Sequence, residues 1–388
     1  MHRPIYFDTA ATTPLDPEVC AAMYAVLSGD DTFANPSSTE HTPGLDAAAR
    51  IEDSRRRIAA ELGCETDEII FTAGATESIN IALRGLMDTV AQRAPSQKRH
   101  IVTSNIEHKA TLACCAALEE TGTAVTYLDP QTDGRISPDD VRAALRPETL
   151  LISLIHTSNE VGTTQPIDQI AALAAEHGVL LHVDAAQAAG KIALDIAAAG
   201  IDLLSLSAHK FHGPKGIGCL AVRERSRLPI RPLCFGGGQE YGLRPGSLPT
   251  HQIVGLTSAL ELTARRREAD RYHVERLRWR FLESLESSLE VRVHTDLEYS
   301  SPYIVNIAIP GIPSDALINQ TRTEIAIASG SACAPGAVDP SPVLRAMGIG
   351  GDSLYGAVRI SFSREHTEED IDYAANAIIG AVERIRAA

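Results

Sequence analysis

Lysine is scarce in this chain: five residues of 388, at positions 98, 109, 191, 210 and 215, against 30 arginines. Lysine alone joins a cation to an amine that can lose its proton and attack a carbonyl, so any catalytic lysine is one of five. Cysteine occurs seven times (20, 64, 114, 115, 219, 234, 333) without a C-x-x-C pair. That absence argues against a disulfide framework or a zinc site, and most of the thiols read as small buried apolar groups. No uncharged apolar run reaches the roughly 18 residues of a membrane span. The start, Met1-His2-Arg3-Pro4 followed by Asp8, has no apolar signal stretch, so a cytoplasmic location is expected. A surplus of basic residues is also missing. The formal net charge of −15 argues against nucleic acid as a primary partner.

What is present is an alternation of short β-branched runs and amphipathic stretches. Strands are expected at Glu68 to Thr72, His100 to Ser104, Leu150 to His156 and Val179 to Asp184, with helical stretches between them. Such βα repetition predicts a parallel sheet buried on both faces, in a doubly wound α/β domain. Residues 249–289 form a long helical candidate that leads into a second, smaller α/β set. Its strands are expected at Ile304 to Ile309, Glu324 to Ala328 and Ala357 to Phe362, and its last helix is capped by Thr367.

In open parallel sheets, ligands sit beyond the carboxyl ends of the strands. Three motifs stand there. Thr72-Ala-Gly-Ala-Thr76-Glu77 leaves a strand and opens a helix, reading equally as a phosphate cradle or a plain tight turn. Asp184 ends a buried strand, where a carboxylate needs a cation or donors; it either pairs with a protonated ring nitrogen of a cofactor or caps the next helix. Lys210 follows an apolar strand, between Ser207-Ala-His209 and the glycine loop Gly213-Pro-Lys-Gly216. Lys98, Lys109 and Lys191 read as solvated surface lysines and Lys215 belongs to the glycine loop; Lys210, at the end of an apolar strand, is the Schiff-base candidate.

In that chain order, the three motifs describe a pyridoxal 5'-phosphate site. The sequence resembles the fold-type I pyridoxal-phosphate enzymes and, within the class-V aminotransferase family, the NifS/IscS-like cysteine desulfurases. The likeness runs from Tyr6-Phe-Asp-Thr-Ala-Ala-Thr-Thr-Pro14 to the final helix. It includes Asn35-Pro-Ser-Ser38, Gly74-Ala-Thr-Glu-Ser78, Glu107-His108-Lys109, Ser158-Asn-Glu160, Gly236-Gly-Gly238 and Ser329-Gly-Ser-Ala-Cys333. The resemblance implies an α/β fold: a large domain (15–259) with a mainly parallel seven-stranded sheet, and a small domain (1–14 and 260–388) carrying the cysteine loop. It implies that Lys210 binds the cofactor covalently, that Asp184 pairs with its ring nitrogen, that His108 stacks on the ring and that Gln187 meets its phenolic oxygen. Ala75, Thr76, Ser207 and His209 would hold the phosphate, with Ser247 from a second subunit of a homodimer. Asn159 and Arg359 would fix the carboxylate of L-cysteine.

By the same resemblance, Cys333 takes the substrate's sulfur as a persulfide and passes it to an acceptor in iron–sulfur assembly, tRNA thiolation or DNA phosphorothioation. His108 is the candidate base. Read from composition alone, Cys333 is either a buried structural thiol or a reactive one in a stretch of small residues. Departures from the family pattern are Ala334-Pro335-Gly336 after the cysteine, Gln239-Glu240-Tyr241 after the glycine block, and Ser247 where Thr is usual. The chain also ends soon after its last helix, short of the tail that docks an iron–sulfur scaffold, so a dedicated acceptor is expected as readily. Two other readings are a selenocysteine lyase or other aminotransferase, and a non-catalytic nucleic-acid-binding protein using the arginines of 265–280 and Arg55-Arg-Arg57. His209-x-x-His212 is a weak metal candidate.

Overall fold

The computed structural model describes residues 3–29, 33–329 and 340–387. Twelve strands fall into three sheets among these residues. They are β1 (Ile5–Tyr6), β2 (Ile69–Thr72), β3 (His100–Ser104), β4 (Ala124–Leu128), β5 (Thr149–Ile155), β6 (Leu180–Asp184), β7 (Leu203–Ser207), β8 (Gly218–Val222), β9 (Arg292–Val293), β10 (Ile304–Ala308), β11 (Ile325–Ala326) and β12 (Val358–Ser361). The central sheet has seven strands in the order β2-β8-β7-β6-β5-β3-β4. Its β7-β6-β5-β3-β4 portion is parallel, whereas β8 runs antiparallel to both β2 and β7.

Burial explains the choice of residues. All residues of β2, β3, β7 and β8 are buried, as expected for strands covered on both faces. Helix Ala75–Arg93 lays Ile79, Ala82, Leu83 and Leu86 against one face, at three- and four-residue spacing. On the other, helix Ile167–His177 contributes Ile170, Ala171 and Ala174 to the core.

The long helix runs Thr250–Glu286, with bounds close to those expected from the sequence. Its first half puts Ile253, Leu256 and Ala259 into the core beneath the central sheet. Val274, Leu277, Phe281 and Leu285 enter a separate core around β10 and β12, where Phe362 packs edge-on against both Phe7 and Phe281. Each buried aromatic of this kind is worth about 1.5–3 kcal/mol of transfer free energy. Strand β1 and the turn after it join that second core through Phe7 and Ala10. The turn's next residues reach the central sheet: Thr13 bonds to the His209 backbone through both its N–H and its hydroxyl. The N-terminal segment therefore crosses the junction between the two cores, beside Lys210.

Candidate active site

Five strands end at one cavity of about 710 Å³. Behind β2 come Ala73 to Glu77; behind β3, His108; at the end of β5 and beyond it, Ile155 and Asn159; at the end of β6, Asp184, Ala186 and Gln187; and behind β7, Ser207, His209 and Lys210. Antiparallel β8 makes the phosphate-sized corner possible, because its first residue, Gly218, pairs with both Thr72 and Ser207. A Cβ on Gly218 would lie 2.3 Å from the Leu206 oxygen and 2.7 Å from Gly74 Cα, so only glycine lets the two loops approach.

Gly74 has φ 147°, a conformation open to glycine, and precedes Ala75–Arg93 without offering a side-chain cap. The first amides of a helix have no intrahelical partner, so this end faces the cavity with N–H groups and positive dipole. A Cβ on Gly74 would come within 3.2 Å of Ser207 Oγ. The corner has the shape and donors for a phosphate dianion.

Opposite it, the Asp184 carboxyl is buried and accepts from the Ala186 N–H at 2.9 Å. Burial pushes its pKa up to about 6, held back by that hydrogen bond and by the Lys210 charge. It caps the turn that follows β6 and lines the cavity; the next helix, Ile196–Ala199, takes Asp195 as its N-cap instead. Lys210 Nζ donates to the Ala10 oxygen at 2.8 Å and the Ala11 oxygen at 2.9 Å. Burial brings its pKa down to about 8, with Arg359 adding to the effect and Asp184 opposing it.

His108 is the N-cap of helix Lys109–Glu119, accepting from the Ala110 N–H through Nδ1 at 3.1 Å. That bond leaves the proton of the neutral ring on Nε2. Burial, with the charges of Lys210 and Lys109, lowers the pKa of His108. In this tautomer it is a donor, and a base role requires the hydrogen to move to the other nitrogen. His209 bonds to Thr12 Oγ1 at 3.1 Å and is held neutral by burial, with a pKa of about 4.

Arg359 does not line the cavity. It adjoins it by donating from Nη1 to the Asn159 oxygen at 2.8 Å, while Nη2 pairs with Asp8 at 2.6 Å and Nε has no partner. Ser247 is exposed in the loop before the long helix and lines no part of its own chain's cavity. Cys333 lies outside the described residues. Asp8, which holds Arg359, is missing from the sequence-based site; it stood in the quoted block Tyr6–Pro14, but its partner is 351 positions away. Glu107 is missing too. Its carboxyl is wholly buried, takes hydrogen bonds from Ser104 and the Ile155 N–H, and is pushed up to about 8 by burial.

Two expectations need correction. Lys191 is not a solvated surface lysine; it is half-buried, and its ammonium donates to Gln187 Oε1 at 3.2 Å. The cysteines are less uniformly buried than expected: Cys114, Cys115 and Cys219 are buried, Cys64 is half-buried, and Cys20 and Cys234 are exposed. No cluster of three metal-ligating side chains occurs among the described residues, His209 and His212 included.

The family model for class-V aminotransferases matches residues 5–374. A cysteine desulfurase IscS of Vibrio vulnificus (strain CMCP6) is 42% identical over 386 residues, covering 100% of this chain and 94% of that protein. The chain belongs to the class-V aminotransferase family, in its NifS/IscS-like group. Solved structures of the group share the fold. A NifS-like protein superposes with a TM-score of 0.90 at 34% identity, over 99% of this chain and 100% of that one. SspA in complex with cysteine gives 0.81 at 37% identity, over 94% and 100%. The α/β architecture with a mainly parallel seven-stranded sheet is thus that of the fold-type I enzymes. No helix among the described residues is long and apolar enough to cross a membrane.

Proposed function

We propose that this class-V aminotransferase family member is a pyridoxal-phosphate-dependent cysteine desulfurase. It would convert L-cysteine and the Cys333 thiol into L-alanine and a Cys333 persulfide, with the carbon–sulfur bond broken and a sulfur–sulfur bond made. The observation that carries the reading is one cavity with Lys210, the buried acid Asp184 and the Gly74–Thr76 helix start on its walls.

The residues fit pyridoxal phosphate: a glycine corner of amide donors for the phosphate, an acid for the ring nitrogen and an amine for the aldehyde. Bound there, the cofactor supplies an electron sink for the substrate's α-carbon. Ala75, Thr76, Ser207 and His209 would bind the phosphate, and Asp184 would hold the ring nitrogen's proton. Lys210, once displaced by the substrate amine, would move a proton between the α-carbon and its neighbours. Neutral His108 would pack against the ring and donate from Nε2 toward the cavity. Arg359 would take the substrate carboxylate, exchanging Asp8 for it, with Asn159 lining the approach.

A homodimer belongs to the proposal, with Ser247 completing the partner's phosphate site. So does the division into a large domain (15–259) and a small one (1–14 and 260–388); the separate core from Phe7 to Val382 supports it. Six unpaired thiols among the described residues fit the reducing cytoplasm. The sulfur acceptor belongs to iron–sulfur assembly, RNA thiolation or DNA modification, and no residue on the cavity wall selects among them.

The test uses the full chain loaded with pyridoxal phosphate. A visible absorption band that shifts on adding L-cysteine, with alanine formed in step, is expected. Cys333→Ala should keep the band and lose alanine and sulfide release to background. A colourless protein that takes up no cofactor refutes the reading, and a Cys333→Ala variant with undiminished transamination points to an aminotransferase.

A further inference from the structure

Lys191 follows the glycine turn after β6, where sequence reading leaves it in solvent. It is half-buried instead and lines a small cavity with residues of both apolar cores, among them Thr9, Thr263, Asp270, Tyr303 and Arg364. At about 10 Å³ the cavity has room for at most one water. Among the described residues no carboxylate lies within ion-pair distance of Lys191 Nζ. Asp270, the acid on the wall, is engaged by Arg364 and Arg266. What Lys191 has is the Gln187 Oε1 at 3.2 Å and the face of Tyr303, 5.3 Å from the ring centre. Burial and the nearby Lys210 charge bring its pKa down to about 7. A methionine would fill this space without the cost of partly burying an amine.

Its acceptor among the described residues, Gln187, lines the active site. The Gln187 side chain is buried, with Nε2 donating to the Ala10 oxygen at 2.8 Å. Lys191 can only donate and the Ala10 carbonyl can only accept, so both ends fix the carboxamide the same way round. Lys210 also donates to the Ala10 oxygen, and Lys191 holds the opposite end of the amide.

We propose that Lys191 is a positioning residue for the cofactor: by anchoring Gln187 Oε1, it keeps the amide N–H group turned toward the cavity, where the cofactor's phenolic oxygen needs a donor. The proposal rests on the pyridoxal-phosphate reading of the same cavity.

The experiment titrates full-length apoprotein with pyridoxal phosphate by fluorescence quenching and records the visible band and the melting temperature of the loaded protein. Lys191→Met is expected to weaken cofactor binding about tenfold, the scale of one lost hydrogen bond with its partner left buried, and to move the band. Gln187→Ala should do the same, and adding Lys191→Met to it should change affinity less than twofold. A merely structural lysine would lower the melting temperature without moving the band. The proposal is overturned if Lys191→Met binds and absorbs like wild type, or if the two losses multiply in the double variant. Should Lys191→Met fail to fold, Lys191→Arg keeps donors for Gln187 and is expected within about threefold of wild type; a tenfold loss there overturns the proposal. Wild-type protein that takes up no pyridoxal phosphate removes the reading underneath, and this inference with it.

Discussion

At the scale of single residues, the most informative quantity is the state of the Lys210 amine. A lysine in water at pH 7.5 is neutral in about one molecule in a thousand; at a pKa of about 8 the fraction is about a quarter. Desolvation does most of this, and the Arg359 guanidinium adds to it, while Asp184 and Asp8 pull the other way. The neutral amine is the nucleophile, so cofactor uptake by apoprotein should rise about fivefold between pH 7 and 8 and level off by pH 9. Stopped-flow absorbance of full-length apoprotein mixed with pyridoxal phosphate measures this. A rate that keeps climbing tenfold per unit to pH 10 would mean an unperturbed lysine. The sequence pointed to Lys210 because a strand, a serine and a glycine loop mark its place locally. Lys191 gave no such signal: the cavity it lines is shared with Tyr303 and Arg364, far along the chain.

At the scale of elements, the arginine runs illustrate how pairing decides between two readings. Arg55-Arg-Arg57 and the cluster at 265–280 resemble a basic surface until their partners are seen. Arg57 meets Glu261, Arg265 meets Glu18, and Arg276 and Arg280 meet Glu368 and Asp372 of the last helix. These charges tie helices together, and the nucleic-acid reading loses its footing. Arg55 is the extreme case. It is buried on helix Thr42–Leu62 and forms a two-pronged pair with buried Glu240, whose Oε2 also accepts from the Phe71 N–H of β2. Glu240 and Tyr241 hold positive φ values of 50° and 56° in the turn that carries them. Glu240→Ala should cost about 3–5 kcal/mol in urea unfolding, because the buried Arg55 guanidinium keeps only the exposed Glu52 carboxylate and the Ile69 carbonyl while the Phe71 N–H loses its acceptor. A loss under about 1 kcal/mol would show that Glu52 and the Ile69 carbonyl suffice to hold Arg55. The seven strands placed from β-branched runs were legible to within a residue or two, while β1, β4, β8 and β9 were not placed. The antiparallel course of β8 was missed, although its signal existed: the stretch from Ser207 to Gly218 is too short for a crossover helix back to a parallel strand.

At the scale of the whole molecule, burial of ionisable groups sets how the protein responds to acid. Eight described histidines have lowered pKa values, with burial the leading cause: 100, 108, 156, 182, 209, 212, 294 and 366. Each takes a proton near pH 6.5 when unfolded but only at lower pH when folded. Their contribution is therefore present above 6.5 and lost as the pH falls below it. Four carboxyls act in the opposite sense: Glu107, Glu160, Asp184 and Glu365 have raised pKa values and bind protons more readily folded than unfolded. The two lowered lysines, 191 and 210, exert their effect at and above neutral pH. Between pH 7 and 5 the histidines outnumber the carboxyls two to one, so the unfolded state gains more protons than the native state. The melting temperature of the cofactor-free protein should accordingly drop by about 5 °C or more across that interval. Differential scanning fluorimetry at fixed ionic strength reads it directly, and a melting temperature that is flat or rises toward pH 5 would show that the buried carboxyls outweigh the histidines.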